Sequence, residues 1–453
     1  MSTPNPLSPA DQAALENYWL PFTPNRYFKK HPKVVVGAKG AYYQTADGRQ
    51  LYDALSGLWC TPLGHGNPRI VEAITKQAQT LDYATAFQIA HPGAIRLAGR
   101  IADLAPEGLN KVFFANSGSE AADTAIKMAI AYHRLRGEGG RFRIIGRERG
   151  YHGVGFGGVS AGGLVANRKM FGTAMLPGVD HLPHTWNPKE MAFTRGQPQW
   201  GTHLADELER IVGLHDASTI AAVIVEPMQG STGVVVPPVG YLQRLRDICT
   251  KHGILLIFDE VITGFGRMGT TFGADYFGVT PDLITFAKAI TNGTVPMGGV
   301  IAKDSIYDTF MGVQAPDYAI EFLHGYTYSG HPMATGVAHA VLDVMHSDGL
   351  IQRAGELAPV LEEAIHSLKG EPGVTDIRNI GLAAAVDLEP CPGQPGWRAM
   401  QVFEHAMQNG VLLRFSADTI AMGPPFISTP DEIAKMVDVL RAAIRAVPAS
   451  PKS

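Results

Sequence analysis

The chain has 453 residues, with 38 Lys and Arg against 42 Asp and Glu, a formal charge of −4 that leaves no basic footprint for nucleic acid. Apolar residues make up 45% and charged residues 18%, ordinary for a globular protein, and no apolar run approaches the roughly 18 residues of a membrane helix. Cys60, Cys249 and Cys391 are far apart, with neither metal-ligand nor disulfide spacing; together with an N-terminus unlike a signal peptide, they predict a cytoplasmic protein with no membrane partner.

The length predicts two or three domains. Residues 4–9 read as a loose, proline-rich tail, followed by a helix over 11–19 and a loop through Pro21, Pro24 and Pro32. Residues 34–36 and 41–44 read as small strands, with Asp47-Gly48 as a hairpin turn. This opening segment, 1–60, lacks a large core of its own. From 61 to 330, strand signals at 111–115, 143–146, 220–225, 254–258, 283–286 and 298–302 alternate with helical stretches such as 119–135 and 240–252. Such alternation predicts an α/β domain with a mostly parallel sheet. Beyond 331 the pattern changes to helices at 332–345 and 351–368, strands at 382–387 and 411–414, and a final helix at 430–446. We read 331–453 as a smaller α+β domain.

Three of the apolar strands stop at a charged residue. Glu226 follows 220–225, Asp259 follows 254–258, and Lys288 lies just past 283–286. Open α/β sheets bind ligands at the carboxyl ends of their strands, and an unpaired buried charge costs several kcal/mol. A cofactor held between Asp259 and Lys288 accounts for both; a structural ion pair between them is the alternative. Asn116-Ser117-Gly118-Ser119-Glu120 joins a strand to an alanine-rich helix, with capping-box spacing between Ser117 and Glu120. Gly118 permits close backbone approach, and free amides at a helix start attract anions, so the motif reads as a phosphate cradle or as an ordinary cap. Gly150-Tyr151-His152-Gly153 follows another strand and offers Tyr151 for stacking or for plain packing. Gly153, Gly155 and Gly158 fit the dinucleotide pattern, but no apolar strand leads directly into them and 159–166 is too glycine-rich to start a good helix. A NAD-dependent oxidoreductase has no other support in the chain.

The run Phe258-Asp259-Glu260-Val261-Ile262-Thr263-Gly264-Phe265-Gly266-Arg267, with Lys288 about 29 residues past Asp259, resembles the class III pyridoxal-phosphate aminotransferases. The motifs at 116–120 and 150–153 match the same family in order, as does Gly325-Tyr326-Thr327-Tyr328-Ser329-Gly330-His331-Pro332. Leu58-Trp59-Cys60, Asp180-His181-Leu182-Pro183-His184 and Arg414-Phe415 make the chain most similar to the ω-amino acid–pyruvate (β-alanine–pyruvate) type. The resemblance implies a fold-type I transferase, with a mostly parallel seven-stranded sheet in the large domain and a smaller α+β domain. It implies pyridoxal 5'-phosphate as cofactor, bound through a Schiff base to Lys288, with Asp259 at the ring nitrogen and Glu226 near Asp259 and the ring substituents.

By the same resemblance Gly118 and Ser119 hold the phosphate, Tyr151 and Val261 cover the two ring faces, and His152 belongs to the cofactor-binding set. Thr327 would reach the phosphate of a neighbouring subunit, so a homodimer or homotetramer with shared active sites is implied. Trp59, Tyr151, Arg414, Phe22, Phe87 and Ala421 would shape the substrate pocket, with Arg414 matching a carboxylate. The implied reaction is a ping-pong transfer of an amino group from an ω-amino acid or primary amine to pyruvate, forming L-alanine. Decarboxylases and aminomutases of the same family are the alternatives. Ser416-Ala417 stand where glycines are common in the subgroup, Ala421 where a glutamine is frequent, and Ser231-Thr232 vary the loop after Glu226. These departures touch the pocket and leave the amine donor open.

Overall fold

The computed structural model describes residues 7–448. Its strands, in chain order, are β1 (Val35–Lys39), β2 (Tyr42–Thr45), β3 (Gln50–Asp53), β4 (Leu109–Ala115), β5 (Arg143–Arg147), β6 (Val179–Leu182), β7 (Ile220–Val225) and β8 (Leu255–Asp259). They continue with β9 (Leu283–Phe286), β10 (Gly298–Lys303), β11 (Val374–Ile380), β12 (Ala383–Leu388), β13 (Val411–Leu412), β14 (Arg414–Ser416) and β15 (Thr419–Met422). The central sheet has seven strands in the order β4-β10-β9-β8-β7-β5-β6. From β9 to β6 all neighbours are parallel, and β10 alone runs against both of its partners.

The apolar runs form this sheet because both faces of its middle strands are covered. Val223 and Val225 of β7, with Leu256 and Phe258 of β8, enter one core cluster. Their neighbours Ala222, Ile224, Leu255 and Ile257 point the other way into a second. The two-residue repeat of a strand explains the split, and burial on both sides explains why the sequence shows continuous apolar runs instead of alternation. The helix Gly118–Leu135 closes the second face with Ala121, Ala122, Ala125 and Ala129, all fully buried. Alanine at these positions lets the helix lie close to the sheet.

Two four-stranded sheets flank this core. β1, β2 and β3 form a meander to which β13 adds in parallel, pairing Val411 with Tyr52 and Leu412 with Asp53. β11, β12, β15 and β14 form an antiparallel sheet, against which the helices Leu350–His366 and Trp397–Gln408 pack, with Pro430–Ala446 lying on both helices.

Local chemistry moves several boundaries. The first helix is Pro9–Leu15, not 11–19, because the Ser8 hydroxyl caps it by accepting from Asp11 N at 3.1 Å and Pro9 fits the first turn. Pro9 is thus not tail, and residues 4–6 of that expected tail lie outside the described residues. The strand expected at 411–414 is two strands. Leu413 passes the chain from the N-terminal sheet to the C-terminal one, so Arg414 enters β14 opposite Ala421 of β15. Among the described residues, no helix is long and apolar enough to cross a membrane, and no group of three or more His, Cys, Asp or Glu could hold a metal ion.

Candidate active site

Parallel neighbours β7, β8 and β9 all end on one edge of the sheet, and this brings Glu226, Asp259 and Lys288 together. A cavity of about 180 Å³ opens there, lined by Gly118, Ser119, Tyr151, His152, Gly153, Glu226, Ser231, Asp259, Val261, Ile262, Ala287 and Lys288.

Asp259 is the last residue of β8 and is buried. One carboxylate oxygen lies 2.8 Å from His152 Nδ1. The other accepts from Thr285 Oγ1 at 3.1 Å and from Val261 N at 3.2 Å. His152 is itself fully buried, and its Nε2 has no hydrogen-bond partner among the described residues. Glu226 accepts from Tyr151 N at 2.9 Å and from Gly230 N at 3.2 Å. Burial pushes its carboxyl up to about 7, and the Asp259 charge adds to that. Lys288 follows β9 with φ at +50°, a left-handed conformation that is uncommon outside glycine. Its amine has no hydrogen-bond or ion-pair partner among the described residues. Burial lowers its pKa, while the Cys60 thiol and the Asp259 and Glu226 carboxylates act against that. Asp259 and Lys288 therefore do not form the structural ion pair that the sequence left open: Asp259 is satisfied by His152, Thr285 and Val261, and the lysine is left free to react.

The helix that starts at Gly118 meets the other end of the cavity. Ser117 Oγ accepts from Glu120 N at 3.2 Å, and Glu120 Oε2 accepts from Asn116 N at 2.7 Å, so the capping box is closed. A Cβ on Gly118 would lie 2.9 Å from the Val261 methyls, so only glycine fits there. Gly153 abuts Ser119, while Gly155 and Gly157 pack on the Asp123 carboxylate, which also accepts from Gly158 N at 2.7 Å. The glycines that mimic a dinucleotide motif thus pack one helix closely onto its neighbours.

The remaining candidate residues are spread out. Tyr151 and Val261 line the cavity. Arg414 lines a second cavity of about 1060 Å³, together with Phe22, Asp53, Leu55, Gly57 and Leu58 and side chains of the C-terminal part such as Trp397 and Phe403. Arg414 still acts electrostatically on both Tyr151 and Lys288; burial lowers its pKa and Tyr151 opposes that. Trp59 and Ala421 line neither cavity. Both sit in a buried cluster with Ile262, Met268 and Val234, with the Arg267 guanidinium 5.4 Å from the Trp59 ring. Thr327 and Phe87 are exposed and line neither cavity. They share a surface where Tyr83 OH donates to Thr327 O at 3.0 Å and Phe87 contacts Gly325.

Sequence reasoning missed Thr285, although a lone polar residue inside the buried run Leu-Ile-Thr-Phe was a usable signal. It also missed the role of Arg267, which is buried and donates to Leu382 O at 3.1 Å, Pro424 O at 2.7 Å and Ser56 Oγ at 3.2 Å. That arginine ties three distant segments together behind the site, which no linear pattern reveals.

A reactive amine, a carboxylate braced from behind and an amide-rich helix start suit a group with an aldehyde, a basic ring nitrogen and a phosphate. That donor set fits pyridoxal phosphate. The chain belongs to the class-III aminotransferases, whose family model matches residues 25–444, and pyridoxal phosphate is its cofactor. It is 55% identical over 431 residues to an omega-aminotransferase of Caulobacter vibrioides, covering 95% of this chain and 97% of that protein. It is 52% identical over 450 residues to a beta-alanine–pyruvate aminotransferase of Pseudomonas aeruginosa, covering 99% of this chain and all of the relative. An (S)-enantioselective omega-transaminase from Thermomicrobium roseum superposes with a TM-score of 0.91 at 34% identity, over 97% of this chain and 99% of that one. A PLP-bound amine transaminase from an uncultivated Pseudomonas species superposes with a TM-score of 0.89 at 37% identity, over 95% and 99% of the two chains.

Proposed function

We propose that this chain transfers the amino group of an ω-amino acid or another primary amine to pyruvate, forming L-alanine. The observation that carries the chemistry is the free Lys288 amine in one cavity with a fully braced Asp259 carboxylate. The choice of donor and acceptor rests on relatives named for omega-amino acids, beta-alanine and pyruvate.

Pyridoxal phosphate, when bound, supplies an electron sink and stores the amino group between the two half-reactions. Lys288 is the residue that would anchor it. Once released, Lys288 Nζ takes the proton that leaves the donor's amine-bearing carbon and later returns one, acting as base and then acid. Desolvation suits it, because a lowered pKa leaves the amine unprotonated. Asp259 would face the ring nitrogen and hold a proton on it, with His152 Nδ1, Thr285 Oγ1 and Val261 N fixing the carboxylate. Gly118 and Ser119 would bind the phosphate at the helix start. Tyr151 and Val261 would cover the two ring faces, and Glu226, braced by Tyr151 N and Gly230 N, would sit beside the ring substituents. Among the described residues Arg414 has no ion-pair partner, and it would take the substrate carboxylate by a two-pronged contact. Phe22 would border the donor's path, with Trp59 and Ala421 shaping the pocket from the packed layer behind it.

Thr327 and Phe87 fit this reading as contributions from a second copy of the chain. Both are exposed beside other surface apolar side chains, including Ile89, Tyr318, Leu323 and Tyr328, a patch suited to a subunit interface. The working unit is then a homodimer, or a homotetramer of such dimers, with shared sites. We further infer a cytoplasmic location, which the three free cysteines favour, and a division into a large domain at 61–330 and a smaller one made of 331–453 with the opening segment 1–60.

The test is to mix the pyridoxal form with a panel of amines and follow conversion to the pyridoxamine form, then add pyruvate and measure alanine. Conversion by β-alanine or longer ω-amino acids, reversed by pyruvate, is expected. Release of carbon dioxide without any need for a keto acid would overturn the reading in favour of a decarboxylase.

A further inference from the structure

Four successive residues, Ser56 to Trp59, carry positive φ: +48°, +53°, +65° and +70°. Gly57 and Leu58 have ψ of 47° and 46°, so the segment is a turn of left-handed helix. Only one of the four is glycine, and the conformation is costly for each of the others. Backbone strain of this kind persists only where the surroundings over-determine it.

The surroundings do so chiefly through Asp53. This buried carboxylate ends β3 and accepts from Gly57 N at 2.6 Å and Leu55 N at 3.4 Å. Its Oδ2 also lies 2.9 Å from His65 Nε2 and 3.5 Å from Thr61 Oγ1. The turn's other end is held by Trp59, against which Gly423 packs so tightly that a Cβ there would lie 2.1 Å from the indole ring. The two faces of the turn look in different directions. Gly57 and Leu58 line the large cavity that also contains Arg414. Trp59 packs in the cluster of Ile262, a wall of the Lys288 cavity.

We propose that Asp53 is a positioning residue that holds Ser56–Trp59 in its left-handed form as the wall between the two cavities, and so determines how well the site accepts an amine with a bulky apolar tail. This rests on the amine-transfer reading above. A compact donor such as β-alanine reaches the larger cavity only with its carboxylate, toward Arg414, and presents no apolar tail to the wall. The tail of an arylalkyl amine extends into the larger cavity and loses its contact surface when the wall relaxes.

In Asp53→Asn the charge is lost and one end of the amide becomes a donor, so either Leu55 N at the Oδ1 end or Gly57 N at the Oδ2 end faces an N–H instead of an acceptor, and the groups that remain are held by a neutral oxygen. The KM for 1-phenylethylamine is expected to rise at least tenfold and that for β-alanine less than threefold. Hydrogen exchange of the amides at 55–61 is expected to speed up at least tenfold, with no change in the helix Gly118–Leu135. Gly57→Ala keeps the Asp53 carboxylate and loads the turn through its positive φ and the close approach of a Cβ to Thr61, and should split the two KM values in the same direction. Equal changes for both donors, or unchanged exchange at 55–61, would overturn the inference. If the wild-type protein converts neither amine, the amine-transfer reading has failed, and the exchange measurement still decides whether Asp53 holds the turn.

Discussion

The two cavities are built by different means. The smaller one, around Lys288, stands on the ends of three neighbouring parallel strands and the first turn of a long helix. Its charged groups are braced by atoms that regular structure delivers, such as Thr285 Oγ1 from β9 and Val261 N after β8. The larger one, around Arg414, is assembled from the opening segment and the C-terminal part, through loops, short strands and the helix Trp397–Gln408, which meet only in the folded chain. Reaction chemistry needs groups placed to a fraction of an ångström and is set on the rigid sheet. Breadth of substrate choice tolerates variation and is left to irregular segments.

This contrast can be broken or sharpened by substitution. Lys288→Ala removes the proposed anchor and proton carrier and is expected to lower amino transfer by about 10³-fold or more; single-turnover absorbance of the cofactor would reveal it, and near-normal turnover would refute the role. Asp259→Asn keeps the shape but loses the charge proposed to face the ring nitrogen, with an expected drop in kcat of about 10²-fold or more. Arg414→Ala belongs to the other cavity, and its effect should fall on binding. The KM for pyruvate is expected to rise about 10–100-fold, the worth of a charge-assisted contact, while an amine lacking a carboxylate is converted with little change in KM. An unchanged pyruvate KM would remove Arg414 from the site.

Gly423→Ala tests the packing that holds Trp59 in place. A Cβ 2.1 Å from the ring forces a shift, with an expected loss of about 1–3 kcal/mol in a denaturant melt. The smallest effect concerns Glu260, buried one residue after Asp259. It accepts from Ala274 N at 2.8 Å, Thr263 Oγ1 at 2.9 Å and Gly273 N. Burial pushes its carboxyl from an ordinary value of 4.5 up to about 7. The folded state therefore keeps a proton that the unfolded chain has lost between those values, and this contribution to stability is present in acid and fades as pH rises through about 7. Glu226 behaves in the same way. Glu260→Gln should flatten the decline between pH 5 and 7 by roughly 1 kcal/mol per pH unit, leaving the share of Glu226; equal slopes in urea melts of variant and wild type would contradict this.

The regions differ equally in how far the sequence could be read. The boundaries of β7 and β9 coincide with the expected 220–225 and 283–286, and the final helix with 430–446. Buried strands and capped helices announce themselves by local composition. Glu226, Asp259 and Lys288 were visible because a charge at the end of an apolar run is a local signal. Trp59 and Ala421 were expected at the pocket surface, whereas they pack beneath it with Ile262. Nothing nearby in the chain reveals that, since their neighbours come from segments hundreds of residues apart. The left-handed turn at Ser56–Trp59 was equally invisible, because three of its four residues ordinarily avoid that conformation.

By itself the sequence determined the α/β class, the strands that end in charge and the charged groups proposed to carry the chemistry, because hydrophobic runs, caps and charged termini act over a few residues. Tertiary structure alone decided that His152 and Thr285 brace Asp259, that Leu413 hands the chain from one sheet to another so that Arg414 faces the larger cavity, and that Asp53 holds a strained turn between the two cavities. Those arrangements depend on which strands pair and which faces close upon each other, and such choices are made by contacts between residues far apart in the chain.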